Sequence, residues 1–329
     1  MIRGLVRRRG HAMASLALVL AAACGGEGNA RITVPMGASM RIAADSLEAA
    51  GVIRSARAFR LYAKLTGRDR SIKAGTYLLD RADSWNEIIK ALVEGRGIVL
   101  AVTIPEGWDL RTIIPVLADT MKVSPAALDS ATRDTALIRR LGVPTPTLEG
   151  YLFPETYLIP EGSGPLPIVR RLVAEFERRW KPEWDEQLQK LGMTRHQVIT
   201  LASIVEKEAR VATERPTISA VYHNRLKRGM LLQADPTIQY ALGKHTARVL
   251  YRDLEVKSPY NTYQNVGLPP GPIASPGSAS IEAALFPADV PFLYFVAHPD
   301  GHHEFRTTFS EHNEAVRKMR ALRRQGTRQ

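Results

Sequence analysis

Two glutamates, Glu206 and Glu208, stand two residues apart in a run that is otherwise almost entirely apolar: Leu201, Ala202, Ile204, Val205 and Ala209 surround them. Thr194 followed by Gln197 has the spacing of a capping box, which predicts a helix starting near Arg195. At about 100° per residue, Val198, Ala202, Val205 and Ala209 share one face, Leu201 lies beside them, and Ile199 and Ile204 widen the stripe on either side. A helix apolar over most of its circumference is expected to be buried. A carboxylate on such a helix is costly unless it is paired or put to use. The two glutamates point about 160° apart, so one cleft can receive only one of them. Glu208 falls between Leu201 and Ile204, where desolvation would raise its pKa and keep it protonated, as a general acid requires. Glu206 falls beside Ser203 and Ala202 and suits a structural ion pair, for instance with Arg210. On spacing alone, a buried salt bridge explains either glutamate equally well. His298, His302, His303 and His312 invite a metal reading, but no carboxylates accompany them at a convincing spacing. They are read as turn and hairpin-edge histidines, and neither a metal nor a cofactor is expected.

The elements that must position these carboxylates follow in close order. Residues 216–227 predict a helix with Ile218, Val221, Tyr222 and Leu226 on one side, stopped by Gly229. Asp235-Pro236 reads as a helix start, with Asp235 as N-cap and Pro236 at the first helical position, and that helix ends at Gly243. Residues 258–263 (Ser-Pro-Tyr-Asn-Thr-Tyr) and 267–273 (Gly-Leu-Pro-Pro-Gly-Pro-Ile) are stiff and aromatic, with the first rich in amide and hydroxyl groups. Such chemistry binds sugars, with rings stacking on Tyr and hydroxyls meeting Asn, Thr and Gln. Residues 292–297 and 304–307 predict two strands around a Pro299-Asp300-Gly301 turn.

Upstream, Ile32 and Val34 alternate as a strand. Ser39 is placed to cap a helix with Ile42, Ala43 and Leu47 as its apolar positions, ending at Gly51. A second helix carries Phe59 and Leu61, residues 75–78 return as a strand, and Trp85, Ile88, Ile89 and Leu92 mark a third helix. Residues 99–104 predict another strand, and Leu110, Ile113, Ile114 and Leu117 a further helix. Pro144 and Pro146 are the best hinge candidate. With 329 residues, two domains are expected.

The N-terminus bears on location. Arg7, Arg8 and Arg9 precede an apolar stretch over residues 12–23, which is too short for a comfortable span of about 20 residues. The chain's one cysteine, Cys24, closes that stretch and is followed by Gly25 and Gly26. This pattern resembles a bacterial lipoprotein signal, with residues 1–23 removed, Cys24 lipidated, and residues 24–30 acting as a tether. It departs from the common form in having Ala21 three residues before the cysteine, where Leu is more frequent. An uncleaved short anchor is the alternative. Without a second cysteine no disulfide or multi-thiolate metal site can form. The formal charge of +12 falls to +8 once the four arginines of residues 1–23 are removed. A basic surface suits nucleic acid, anionic lipid or a carboxylate-bearing polymer such as peptidoglycan. No nucleic-acid recognition module stands out.

The run from Leu201 to Glu208, with Glu214-Arg215, Asn224-Arg225-Leu226, Gly229-Met230 and residues 232–237, resembles the catalytic core of the MltG/YceG-like endolytic peptidoglycan transglycosylase family. Residues 260–263, 267–271, Pro276-Gly277, 294–296, Phe305 and His312-Asn313 continue the likeness, and residues 148–157 match the family's entry motif. The resemblance covers about residues 31–316 and is most specific from Leu201 to Gly277. It implies an α+β protein, with a small LysM-like subdomain over residues 31–98 ahead of a catalytic domain over residues 99–329 whose core motifs lie in 148–316. It assigns catalysis to the second glutamate of the Glu-Lys-Glu triplet, Glu208, and makes Asn224, Gln233, Asp235, Tyr260 and Asn261 the candidate substrate contacts. Ala209 departs from the Ser or Thr that related transglycosylases often carry after the catalytic glutamate, and the cysteine-type anchor departs from the transmembrane helix of many relatives.

The implied reaction is non-hydrolytic cleavage between N-acetylmuramic acid and N-acetylglucosamine, giving 1,6-anhydro ends. Its partners would be glycan strands, the membrane and possible peptidoglycan synthases, with the catalytic domain outside the cytoplasm. A hydrolytic muramidase using Asp235 or Glu155 as second carboxylate, and an inactive glycan-binding lipoprotein, are the rival readings.

Overall fold

In the computed structural model, residues 28–69, 72–244 and 249–326 are described. Cys24, the export-type segment and most of the expected tether lie outside them. The chain divides into two compact units between Val99 and Leu100.

The first unit pairs β1 (Asn29–Val34) with β2 (Gly75–Asp80) antiparallel, Ile32 facing Tyr77 across the ladder. Alternate residues of β1 are buried, as a strand with one covered face requires. The strand begins two residues earlier than the tether expectation allowed. Between the strands lie α1 (Met40–Ala49) and α2 (Ala56–Leu65), and α3 (Trp85–Glu94) follows. Ser84 and Glu87 form a capping box at the start of α3, and Gly95 ends it in the left-handed conformation. Val34, Leu47, Phe59, Tyr77, Ile88 and Leu92 form the core. Ile42 and Leu61, expected on apolar faces, are instead exposed. Ser39 occupies the N-cap position of α1, but its side chain makes no capping hydrogen bond.

At the start of the second unit, β3 (Val99–Thr103, its first residue the last of unit one) pairs with β4 (Thr156–Pro160), and α4 (Leu110–Met121), α5 (Pro125–Ala131) and α6 (Thr135–Leu141) lie between them in sequence. Pro144 and Pro146 sit inside this unit, flanked by buried Val143 and Leu148, so they do not mark its boundary. The chain continues through α7 (Pro165–Arg179), α8 (Pro182–Leu191), α9 (Arg195–Glu208), α10 (Arg215–Lys227), α11 (Asp235–Leu242) and α12 (Ser278–Leu285). The antiparallel hairpin of β5 (Tyr294–Ala297) and β6 (His303–Arg306) then leads to α13 (Phe309–Gly326).

The predicted Thr194–Gln197 capping box is present on α9. Every residue of α9 from Val198 to Val205 is buried, because α8, α10, α11 and α12 all pack against it. A helix enclosed in this way is held rigidly, and so is whatever its last turn carries. Among the described residues no helix is long and apolar enough to cross a membrane.

Candidate active site

The two glutamates at the end of α9 diverge, as their angular separation demands. Glu206 pairs with Arg215 at 3.3 Å and accepts a hydrogen bond from the Gly277 N–H at 3.1 Å. The expected ion pair therefore exists, but its partner is Arg215 on the neighbouring helix rather than Arg210. Glu208 is the last residue of α9 and turns toward a cleft of about 420 Å³. Its Oε1 accepts a hydrogen bond from the Tyr222 hydroxyl at 2.9 Å. Desolvation pushes the Glu208 carboxyl up to about 7, and the nearby Asp235 adds to the rise; Tyr222, Arg225 and Arg210 oppose it. The balance leaves an acid that is substantially protonated near neutral pH and can ionise after giving up its proton.

Around it, α10 contributes Tyr222 and Arg225, the following loop Gln233, the start of α11 Asp235, and the aromatic loop Tyr263. Phe295, His303, Phe309 and His312 line the side formed by the hairpin and α13. Tyr222 packs edge-on against Phe295, with ring centroids 5.9 Å apart. Arg225 is buried and spends its guanidinium on the carbonyls of Leu293 (2.7 Å) and Leu232 (2.8 Å) and on Gln233 Oε1 (3.3 Å). It thereby ties the hairpin to the loop that carries Gln233, with its positive charge close to the acid.

Gln233 adopts φ 52, in the left-handed region that non-glycine residues seldom enter. The conformation is held by its own N–H on the Thr262 carbonyl (3.1 Å) and by Ala234 N–H on the Thr262 hydroxyl (3.0 Å). Asp235 occupies the first helical position of α11 and Ala234 the N-cap, one residue off the expected register. Its carboxylate accepts from the Tyr263 hydroxyl.

Three of the six residues expected at the site thus meet in one cleft: Glu208, Gln233 and Asp235. The other three do not line it. Asn224 donates to the carbonyls of Val290 (2.8 Å) and Phe292 (3.0 Å). Asn261 is wholly buried, donates to Leu254 and Val256 carbonyls, and accepts from Tyr263 N–H. Tyr260 packs on Tyr240 at 4.8 Å, whose hydroxyl donates to buried Glu149. Polar groups committed to backbone carbonyls shape loops, and here the loop so shaped presents Tyr263. Tyr222, Arg225 and Tyr263 were missed as site residues, although Arg225 and Tyr263 lie in the motif runs and Tyr222 on the helix predicted over residues 216–227. Tyr222 and Arg225 are about 60° apart on α10, whereas Asn224 points about 160° away from Tyr222. A facing analysis of that helix would have found them.

Glu155, the other carboxylate weighed as a catalytic partner, pairs with Arg179 and does not line the cleft. A second cavity, of about 490 Å³ near the start of α9, has no carboxylate in its lining.

The fold and cleft define an α+β protein in which a buried helix ends on a glutamic acid turned toward an open, polar cleft. The chain belongs to the YceG-like family, which it matches over residues 32–318. It is similar to an endolytic murein transglycosylase of Bacillus subtilis, with 37% identity over 302 residues, covering 87% of this chain and 84% of that one. It is 30% identical over 297 residues to an endolytic murein transglycosylase of Streptococcus pneumoniae, where it spans 54% of the relative's length and 81% of its own. A crystal structure of a yceG-like protein from Listeria monocytogenes superposes with a TM-score of 0.62 at 35% identity, over 87% of this chain and 98% of that one.

Proposed function

We propose that this protein is an endolytic murein transglycosylase that cleaves glycan strands between N-acetylmuramic acid and N-acetylglucosamine. The observation that carries the reading is the placement of Glu208 at the end of the buried α9, bonded to the Tyr222 hydroxyl and turned into an open, polar cleft where burial of its carboxyl pushes it up to about 7. The activity named for the Bacillus and Streptococcus relatives supports it. Glu208 protonates the leaving glycosidic oxygen and then, as carboxylate, takes the proton of the muramic C6 hydroxyl. That oxygen closes on C1 to form the 1,6-anhydro ring. One carboxylate serves both steps, so no water-activating partner is needed, in contrast to a two-carboxylate hydrolase. Gln233, Asp235 and Tyr263 supply polar contacts for sugar hydroxyls and acetamido groups, and Asn224, Tyr260 and Asn261 support the loops that present them.

Cleavage of sacculi by the purified protein should give ends lighter by one water than muramidase products. Because Asp235 shares the cleft, a hydrolytic reaction is the specific rival. Reducing ends from the wild-type enzyme would establish that rival.

The same reading places the catalytic unit outside the cytoplasm, with residues 31–98 as a LysM-like glycan-contacting subdomain and peptidoglycan synthases as neighbours. Cys24 is the lipidated first residue of the mature chain. A multiply acylated cysteine is implied, since a single acyl chain binds membranes only weakly. Mass spectrometry of the protein from its native host tests this, and an unmodified Cys24 in an uncleaved chain would overturn it.

A further inference from the structure

The turn joining β5 to β6 reads His298-Pro299-Asp300-Gly301-His302, and none of these side chains lines the cleft around Glu208. His298 Nδ1 lies 2.9 Å from Asp300 Oδ1, and His302 Nδ1 lies 2.5 Å from that same oxygen. The two rings stack at 4.4 Å and 21°. Both imidazoles therefore direct their Nδ1 atoms at one carboxylate, and the three possible ligand atoms all lie within 4.8 Å of one another.

His298 Nδ1 is shielded from solvent, and its one close polar neighbour is Asp300 Oδ1, met at an angle outside that of a well-directed hydrogen bond. A buried polar atom left in this state calls for a partner. The turn is also braced: His298 N–H donates to the His302 carbonyl (2.8 Å), Gly301 N–H to the His298 carbonyl (3.0 Å), and His302 N–H to Asp300 Oδ1 (3.2 Å). Gly301, at φ +99, permits the reversal that brings the ends of the motif together.

We propose that His298, Asp300 and His302 form a binding site for a divalent transition-metal ion of the zinc type. Two imidazole nitrogens and one carboxylate oxygen would hold it, with water completing the shell. Imidazole ligands favour zinc, copper and nickel, whereas calcium and magnesium take oxygen donors. Ligand bonds of about 2.0–2.2 Å place tetrahedral donor atoms roughly 3.3 Å apart, so the cluster needs only a small expansion to admit the ion. The ion would replace the poorly aligned contact at His298 Nδ1 with a bond. It would also fix the tip of a hairpin whose flanking Ala297 and His303 line the cleft. The site belongs to the hairpin and does not depend on the reaction proposed above.

Calorimetric titration of the full-length protein with Zn²⁺ at neutral pH should show one equivalent bound at this site. Asp300→Asn and His302→Gln should each weaken that binding at least about tenfold, with circular dichroism and thermal unfolding of the metal-free variants unchanged. Cobalt(II) should give visible bands that both variants lose, and Mg²⁺ should give no comparable heat. Zinc binding of equal stoichiometry and affinity in wild type and Asp300→Asn would overturn the proposal, because the ion would then sit on other histidines. The absence of binding at about 0.1 mM Zn²⁺, well above the range of specific sites, would overturn it equally.

Discussion

If Glu208 owes its raised pKa to burial at the end of α9, then Glu208→Gln should remove activity and add stability, and the added stability should depend on pH. The carboxyl titrates at about 7 in the folded protein against an ordinary 4.5. Between those values the unfolded chain has released a proton that the folded protein retains, so wild-type stability falls as pH rises through this window. At about 1.4 kcal/mol per pH unit, the ionised group costs roughly 3 kcal/mol above pH 7. That is an upper bound, because the side facing the cleft meets water. Glutamine cannot ionise, so the variant escapes the penalty. The variant-minus-wild-type difference should grow from pH 4.5 to 7 and stay level above it. For a unit of this size the gain amounts to at most roughly 10 °C in Tm. Glu149, which burial pushes to about 8, and Glu106, also raised, titrate in both proteins and cancel in the difference. Thermal or urea unfolding of both proteins at pH 5 and pH 8 measures it, alongside a glycan-cleavage assay in which the variant should lose at least about 100-fold. A difference that is flat with pH would place Glu208 in an ordinary solvated environment and remove the physical basis for its role as the acid.

Wild-type cleavage should decline as pH rises through about 7, since the acid must start protonated. Tyr222→Phe deletes a hydrogen bond that favours the carboxylate, so the declining limb of kcat/KM should move alkaline by about one pH unit, and an unmoved limb would contradict the 2.9 Å contact. Glu206→Ala leaves the Gly277 N–H without its acceptor and takes the nearer carboxylate from Arg215, which keeps Ser280 Oγ and, at 4.0 Å, Glu106; this should cost about 3 kcal/mol by urea unfolding, and the rate per folded molecule should fall far less than for Glu208→Gln. Gly150→Ala combines φ +81 with a new Cβ only 2.4 Å from Pro272 Cβ, so a loss of at least about 2 kcal/mol is expected, and a neutral result would show that the proline-rich loop yields there.

The helices that carry the site were legible wherever an apolar period and a stop signal coincided. The Thr194–Gln197 box followed from its spacing, and the Glu206–Glu208 divergence on α9 and the apolar side of α10 from helical periodicity. The strand–helix–helix–strand order of the first unit followed from alternation at Ile32 and Val34 and from the periodic positions of α1 and α2. Ile42 and Leu61 were misplaced because a short helix against a small sheet covers a narrow stripe, and an apolar residue at its margin stays in water. Partner identity was less legible. Arg215 displaces Arg210 as the partner of Glu206 because α10 folds back against α9, a return that neither residue's local spacing encodes. The pairing of β3 with β4 joins strands separated by three helices and was likewise invisible to local pattern.

Polarity misled more than periodicity did. Asn224, Asn261 and Tyr260 have the chemistry of sugar ligands, yet two of them spend their amides on backbone carbonyls and the third packs its ring on Tyr240. The physical reason lies in the loops themselves. Residues 256–273 contain no regular strand or helix, so their buried carbonyls and N–H groups need side-chain partners, and asparagine supplies both a donor and an acceptor. Asn261 meets that need on both sides at once, which fixes the backbone of Tyr263 and, through its hydroxyl, Asp235. The left-handed Gln233 is held from the same loop through Thr262. The polar loop beside Glu208 therefore divides its side chains between those that hold it and those that face the cleft. Composition cannot assign them; the placement of the unpaired backbone groups can.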